Sequence, residues 1–160
     1  MRDSQKSKVY TAENILRFIL DNACDNPLYT IEGITLTLPP EGKFSSVEDV
    51  QRYVNRVTRL SSVVAAFGET KPITVRSRKG QRVAHYEGYP PTIAVPEKAT
   101  RWALRELVVL HEIAHHYSRS RPAHGPEFVS TLITLLECVM GPEMGLLARI
   151  VYAQNSVKAA

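Results

Sequence analysis

The 160 residues carry 20 Lys and Arg against 16 Asp and Glu, a formal net charge of +4, with 44% hydrophobic and 22% charged residues. That balance suits one globular domain and is too apolar for wholesale disorder, while the mild positive charge permits an acidic partner without requiring one. No run of about 18 apolar residues offers a membrane span, and Glu13, Asn14 and Arg17 interrupt what would be a signal-peptide core. The two cysteines, Cys24 and Cys138, form no CxxC pair, so a cytoplasmic protein without a disulfide framework or a cysteine-based zinc site is expected.

Residues 1–10 read as a polar tail and residues 11–160 as the domain. Thr11 is the expected N-cap of a helix running to about Asn22, with Ile15, Leu16, Ile19 and Leu20 as its apolar positions. The stretch Ile31 to Leu38 alternates as a single short strand and stops at Pro39-Pro40. Ser46, followed by Glu48 and Asp49, opens a second helix that ends near Gly68, with Val50, Tyr53, Val54, Val57 and Leu60 as its buried stripe. Ile73–Arg78 and Arg82–Glu87 read as two strands of a hairpin turning at Lys79-Gly80-Gln81. Thr92–Val95, bracketed by Pro90-Pro91 and Pro96, reads as an edge strand. A long apolar helix is expected from Lys98 to about Ser118, broken by Arg121-Pro122-Ala123. Two more helices follow, Phe128–Met140 and a final one ending near Gln154, separated by Gly141-Pro142. The order gives an α+β domain with its chemistry on the late helices.

That chemistry centres on His111-Glu112-Ile113-Ala114-His115, an HExxH motif within the strongest helical pattern. Residues four apart share a helix face, so both imidazoles reach one metal ion. Glu112, one residue on, is placed to take a proton from a water beside that metal without ligating it. A catalytic zinc site takes a third protein ligand. Glu127 and Glu137 are two candidates, and His124 is the better one. It stands where the chain must reverse, with Gly125 and Pro126 opening the next helix. His116 lies about 100° round the helix from His115 and is expected beside the site or on the surface.

HExxH followed by His124-Gly125-Pro126-Glu127-Phe128 resembles the SprT-like (Spartan-like) metalloprotease domain over about Thr92–Met140. The resemblance implies a zincin-like fold, a small antiparallel or mixed sheet packed on a central HExxH helix with a helical C-terminal part. It implies one Zn2+ per chain on His111, His115 and His124, with Glu112 as the catalytic base. The whole chain, through Met140-Gly141-Pro142-Glu143, is also similar to a family of short metallohydrolases from actinobacteria and their phages.

The expected function is therefore a zinc metallopeptidase acting on a peptide or protein substrate. Its alternatives are an amidase with the same ligands, and a non-catalytic zinc-containing module that binds DNA or protein. An extended substrate is expected to add to Thr92, Ile93, Ala94 and Val95, with His85 and Tyr86 as further cleft candidates. Arg76, Arg78, Lys79 and Arg82, with Lys71 nearby, form a basic cluster that permits nucleic-acid contact but lacks a recognised binding motif. Trp102 is expected in the core rather than as a binding platform.

Overall fold

A computed structural model describes residues 2–80, 83–97, 104–119 and 121–160. The expectations for Gln81, Arg82, Lys98 and Trp102 lie outside the described residues. Among those described are six helices and five strands in two small sheets, an α+β arrangement. They fall into two units, Met1–Pro40 with Ser118–Ala160, and Glu41–Tyr117. No described helix is long and apolar enough to cross a membrane.

The first unit begins with α1, Lys6–Ala23, five residues earlier than Thr11. Thr11 is not its cap: the hydroxyl donates to Ser7 O, 2.9 Å away, from inside the helix. The reason is Val9, fully buried with Ala12, Leu16, Ile19 and Leu20, so the apolar stripe starts one turn before the sequence pattern becomes plain. Ile15, predicted in that stripe, is 38% exposed.

The single strand expected at Ile31–Leu38 is a hairpin, β1 Leu28–Ile31 and β2 Ile34–Thr37, paired antiparallel. Glu32 and Gly33 both take positive φ, 49° and 77°, which is the geometry a two-residue hairpin turn demands.

Helices α5, Pro126–Met140, and α6, Pro142–Gln154, are joined through Gly141 alone, at φ 101°. Proline opens each helix where its missing N–H is not needed. Phe128, Leu132 and Leu136 of α5 and Met144, Leu147 and Ala148 of α6 are buried, with α5 packed on α6 and α6 on α1. Cys24 and Cys138 both lie in this unit and are not joined to each other.

In the second unit Ser46 opens a helix as expected, as an N-cap whose side chain accepts from Asp49 N, but that helix is broken. Helix α2 covers Val47–Val57 and α3 covers Ser61–Phe67, with Leu60 in extended backbone between them. The hairpin expected across Lys79-Gly80 does not form. Strand β3, Thr74–Arg78, pairs in parallel with β5, Pro91–Pro96, and β4, His85–Gly88, pairs with β5 from the other side. The sheet order is β3-β5-β4, so β5 is the central strand and not an edge. Pro91 and Pro96 are its first and last residues, positions where a strand tolerates proline, and Ile93, Ala94 and Val95 are fully buried, as a central strand requires.

Helix α4, Glu106–Tyr117, packs on β4, β5 and α2. Leu104 and Arg105, predicted helical, are not. Phe44 N donates to Leu104 O and Glu106 N donates to Gly42 O, each at 2.9 Å, so a backbone pairing with residues 42–44 precedes the helix. Glu41 completes this start. Its carboxylate accepts from Arg105 Nε at 2.8 Å and from Leu107 N at 3.2 Å, the latter a first-turn amide that no helical carbonyl reaches.

Candidate metal centre

Eight consecutive residues of α4, Leu107 to Ala114, are buried, so the helix is apolar all round and its polar members stand out chemically. His111 is 3% exposed and Glu112 6%. His115, one turn on, is half-buried. The Nε2 atoms of His111 and His115 face each other at 3.1 Å, with ring centroids 4.8 Å apart and planes at 74°. Two nitrogens on a tetrahedral zinc, each about 2.0–2.1 Å from the metal, stand about 3.3 Å apart. The pair is therefore spaced as two ligands of one ion are.

His116 takes no part in that pair. Its Nε2 is bonded to Thr70 Oγ1 and its Nδ1 to Tyr86 OH at 2.9 Å, so both ring nitrogens are engaged. Burial lowers its pKa, which keeps the ring neutral, with one nitrogen donating and the other accepting. Sequence reasoning, which expected His116 beside the site or on the surface, did not find Thr70. No local signal joins a loop threonine to a histidine 46 positions away.

Strand alternation separates the two cleft candidates on β4. Tyr86 lies in register with Ile93 and turns to the α4 face, where desolvation raises its pKa above the usual tyrosine value. His85 turns to the other face and is exposed, next to Glu87 at 3.3 Å and with Arg76 ion-paired to that same carboxylate. His85 and Tyr86 thus do not line one cleft. The hydrogen bond from Arg76 holds the Glu87 carboxyl below its ordinary value. Arg76 is consequently neutralised in part, while Lys71 and Lys79 are exposed and Arg78 is half-buried. Thr92–Val95 carry hydrogen-bonded strands on both sides, so no substrate strand adds to them.

In the other unit, His124 is buried at the start of α5 and 5% exposed. Its Nδ1 lies 2.7 Å from Asp3 Oδ2, and its backbone N–H donates to the same oxygen at 3.3 Å. Gln5 Nε2 donates to His124 O at 3.3 Å. The rings of Tyr10 and Phe128 flank it, with centroids 5.3 Å and 5.1 Å away. Gly125 takes extended backbone as N-cap and Pro126 the first helical position, the turn that the His-Gly-Pro order foretold. Asp3 was missed by sequence reasoning because it belongs to a stretch read as tail, 121 positions from its partner.

The carboxylates weighed as other ligands have different work. Glu127 Oε1 accepts from Arg119 N at 2.9 Å, and Glu137 pairs with Arg149 at 2.6 Å; both are exposed. His111 and His115 are two imidazole donors that could share a metal ion, and His124 offers a third imidazole in the other unit. Three neutral nitrogens with a carboxylate adjacent in sequence to one of them suit zinc, which accepts imidazole readily and keeps a position open in catalytic sites. The chain matches no family model, no curated protein and no solved structure.

Proposed function

We propose that this chain is a zinc-dependent hydrolase, a metallopeptidase with His111, His115 and His124 as ligands and Glu112 as general base. The observation that carries the reading is the His111–His115 pair, two buried or half-buried imidazoles whose Nε2 atoms stand 3.1 Å apart beside a buried glutamate. The resemblance of HExxH and His-Gly-Pro-Glu-Phe to the SprT-like domain points the same way.

Zinc held there would supply a Lewis acid for the scissile carbonyl and acidify a water beside it. Glu112 takes the proton from that water as it attacks the carbonyl carbon. It then hands the proton to the amide nitrogen as the C–N bond breaks, so the carboxylate is restored at the end of each turnover.

The test is metal content of the untagged chain beside His124→Ala and Glu112→Gln. The wild type should hold about one zinc, His124→Ala should lose most of it, and Glu112→Gln should keep it while peptide hydrolysis disappears. Peptide turnover retained by Glu112→Gln would overturn the mechanism. A chain that takes up no zinc when it is offered would overturn the site and leave a binding module as the account.

A further inference from the structure

The segment ahead of α1 contains a carboxylate set against the third histidine. We infer that Asp3 is a positioning residue of the metal site, holding the His124 ring in the tautomer and orientation that ligate through Nε2. The inference rests on the three-histidine reading above.

A carboxylate accepts hydrogen bonds and donates none, so the 2.7 Å contact between Asp3 Oδ2 and Nδ1 places the imidazole proton on Nδ1. In the neutral ring the lone pair is then on Nε2, the nitrogen a metal takes. The same oxygen accepts the His124 backbone N–H at 3.3 Å, so one atom fixes both the ring and the residue that carries it. The rings of Tyr10 and Phe128 on either side restrict rotation about the side-chain bonds. Metal-bound histidines commonly donate their second nitrogen to a carboxylate, which also raises their basicity as ligands.

The cost of Asp3 argues against an incidental contact. Its side chain is 22% exposed, and its Oδ1 is shut off from solvent with no hydrogen-bond partner among the described residues. Desolvating a carboxylate in this way is unfavourable, and a loosely held segment would turn it outward. Gln5 prevents that. Its amide nitrogen donates to His124 O and to Lys158 O, and its oxygen accepts Lys158 N at 2.6 Å. The segment is thereby pinned to the residue whose ring Asp3 orients.

The experiment measures Zn2+ affinity by competition with a chromophoric chelator for untagged wild type, Asp3→Asn, Asp3→Glu and Gln5→Ala. Absorption spectra of the Co2+-loaded chains are recorded alongside. Asp3→Asn should bind zinc about 10–100-fold more weakly, and Asp3→Glu should recover part of that loss. At full Co2+ occupancy the Asp3→Asn spectrum should differ from wild type, a change that mere loosening of the segment does not produce. Gln5→Ala, which frees the segment without touching the ring, should lose less affinity than Asp3→Asn. Equal affinity and equal spectra in wild type and Asp3→Asn would overturn the inference, as would a loss in Gln5→Ala as large as that in Asp3→Asn. If wild type itself takes up no zinc, the three-histidine reading fails first and this inference falls with it.

Discussion

Glu41→Gln should destabilise the chain by about 3 kcal/mol, because it neutralises one half of a buried ion pair at the foot of the HExxH helix. The side chains of Arg105 and Glu41 are 1% and 2% exposed, and the guanidinium meets the carboxylate through both Nε and Nη2. Lys43 also reaches Glu41, at 3.0 Å, but it is 49% exposed, so its share is at most about 1 kcal/mol. The cost lies with Arg105, whose buried guanidinium loses the charge of the Glu41 carboxylate, and breaking a buried pair in this way costs about 3–5 kcal/mol. Glutamine keeps one acceptor for Arg105 Nε or Leu107 N–H, which places the expected loss at the lower end. For a chain of this size that is a fall in Tm of about 6–12 °C.

Urea unfolding followed by circular dichroism gives the free energy, and a thermal melt gives the second estimate. Arg105→Met in the Glu41→Gln background should recover part of the loss, since an apolar side chain in that space carries no charge to strand. A loss below about 1 kcal/mol would refute the reasoning, because the pair would then behave as a screened surface contact. The consequence for function is positional. Glu41 holds the first turn of α4, and His111 and His115 take their height from that turn.

Adding Zn2+ at about 100 times its dissociation constant should raise stability by about 2.7 kcal/mol, a chelator should reverse the gain, and His111→Ala should show none of it; unchanged melts with and without zinc would contradict the site. Gly145→Ala should destabilise α5–α6 packing by about 1–2 kcal/mol although alanine is the better helix former, because the added Cβ would stand 2.8 Å from Glu137 Cβ; a stabilised variant in urea would show that the two helices part at little cost. Burial, reinforced by the neighbouring Glu106 and Glu13 carboxylates respectively, raises the pKa of Tyr53 and Tyr152 well above 10. Both hydroxyls stay protonated in the folded chain while the unfolded chain ionises near pH 10. Stability from this source is complete below that pH and is lost above it, by up to about 1.4 kcal/mol per pH unit per group. Melts that do not change between pH 9 and 11 would contradict that burial.

The elements whose information is local were legible. HExxH at helical spacing, the helix opened at Ser46, and Gly141-Pro142 as a helix break each depend on residues a few positions apart, and each is found where the pattern put it. The errors share a different origin. The break after Val57, the start of α4 at Glu106 and the start of α1 at Lys6 are set by what the chain packs against, which no window of ten residues contains.

Strand order shows the division most clearly. From Pro90-Pro91 and Pro96 the sequence determined that Thr92–Val95 is a short extended segment, but proline position fits an edge strand and a strand end equally well. Only pairing with β3 and β4 decided that it is central, and with that decision the place for an added substrate strand on β5 disappeared. His111, Glu112 and His115 were determined by sequence because a helix fixes their relation through its own backbone. The carboxylate on His124 belonged to the tertiary structure alone. Asp3 and His124 are 121 positions apart, and only folding, which trades chain entropy for buried contacts, brings a terminal aspartate against that ring.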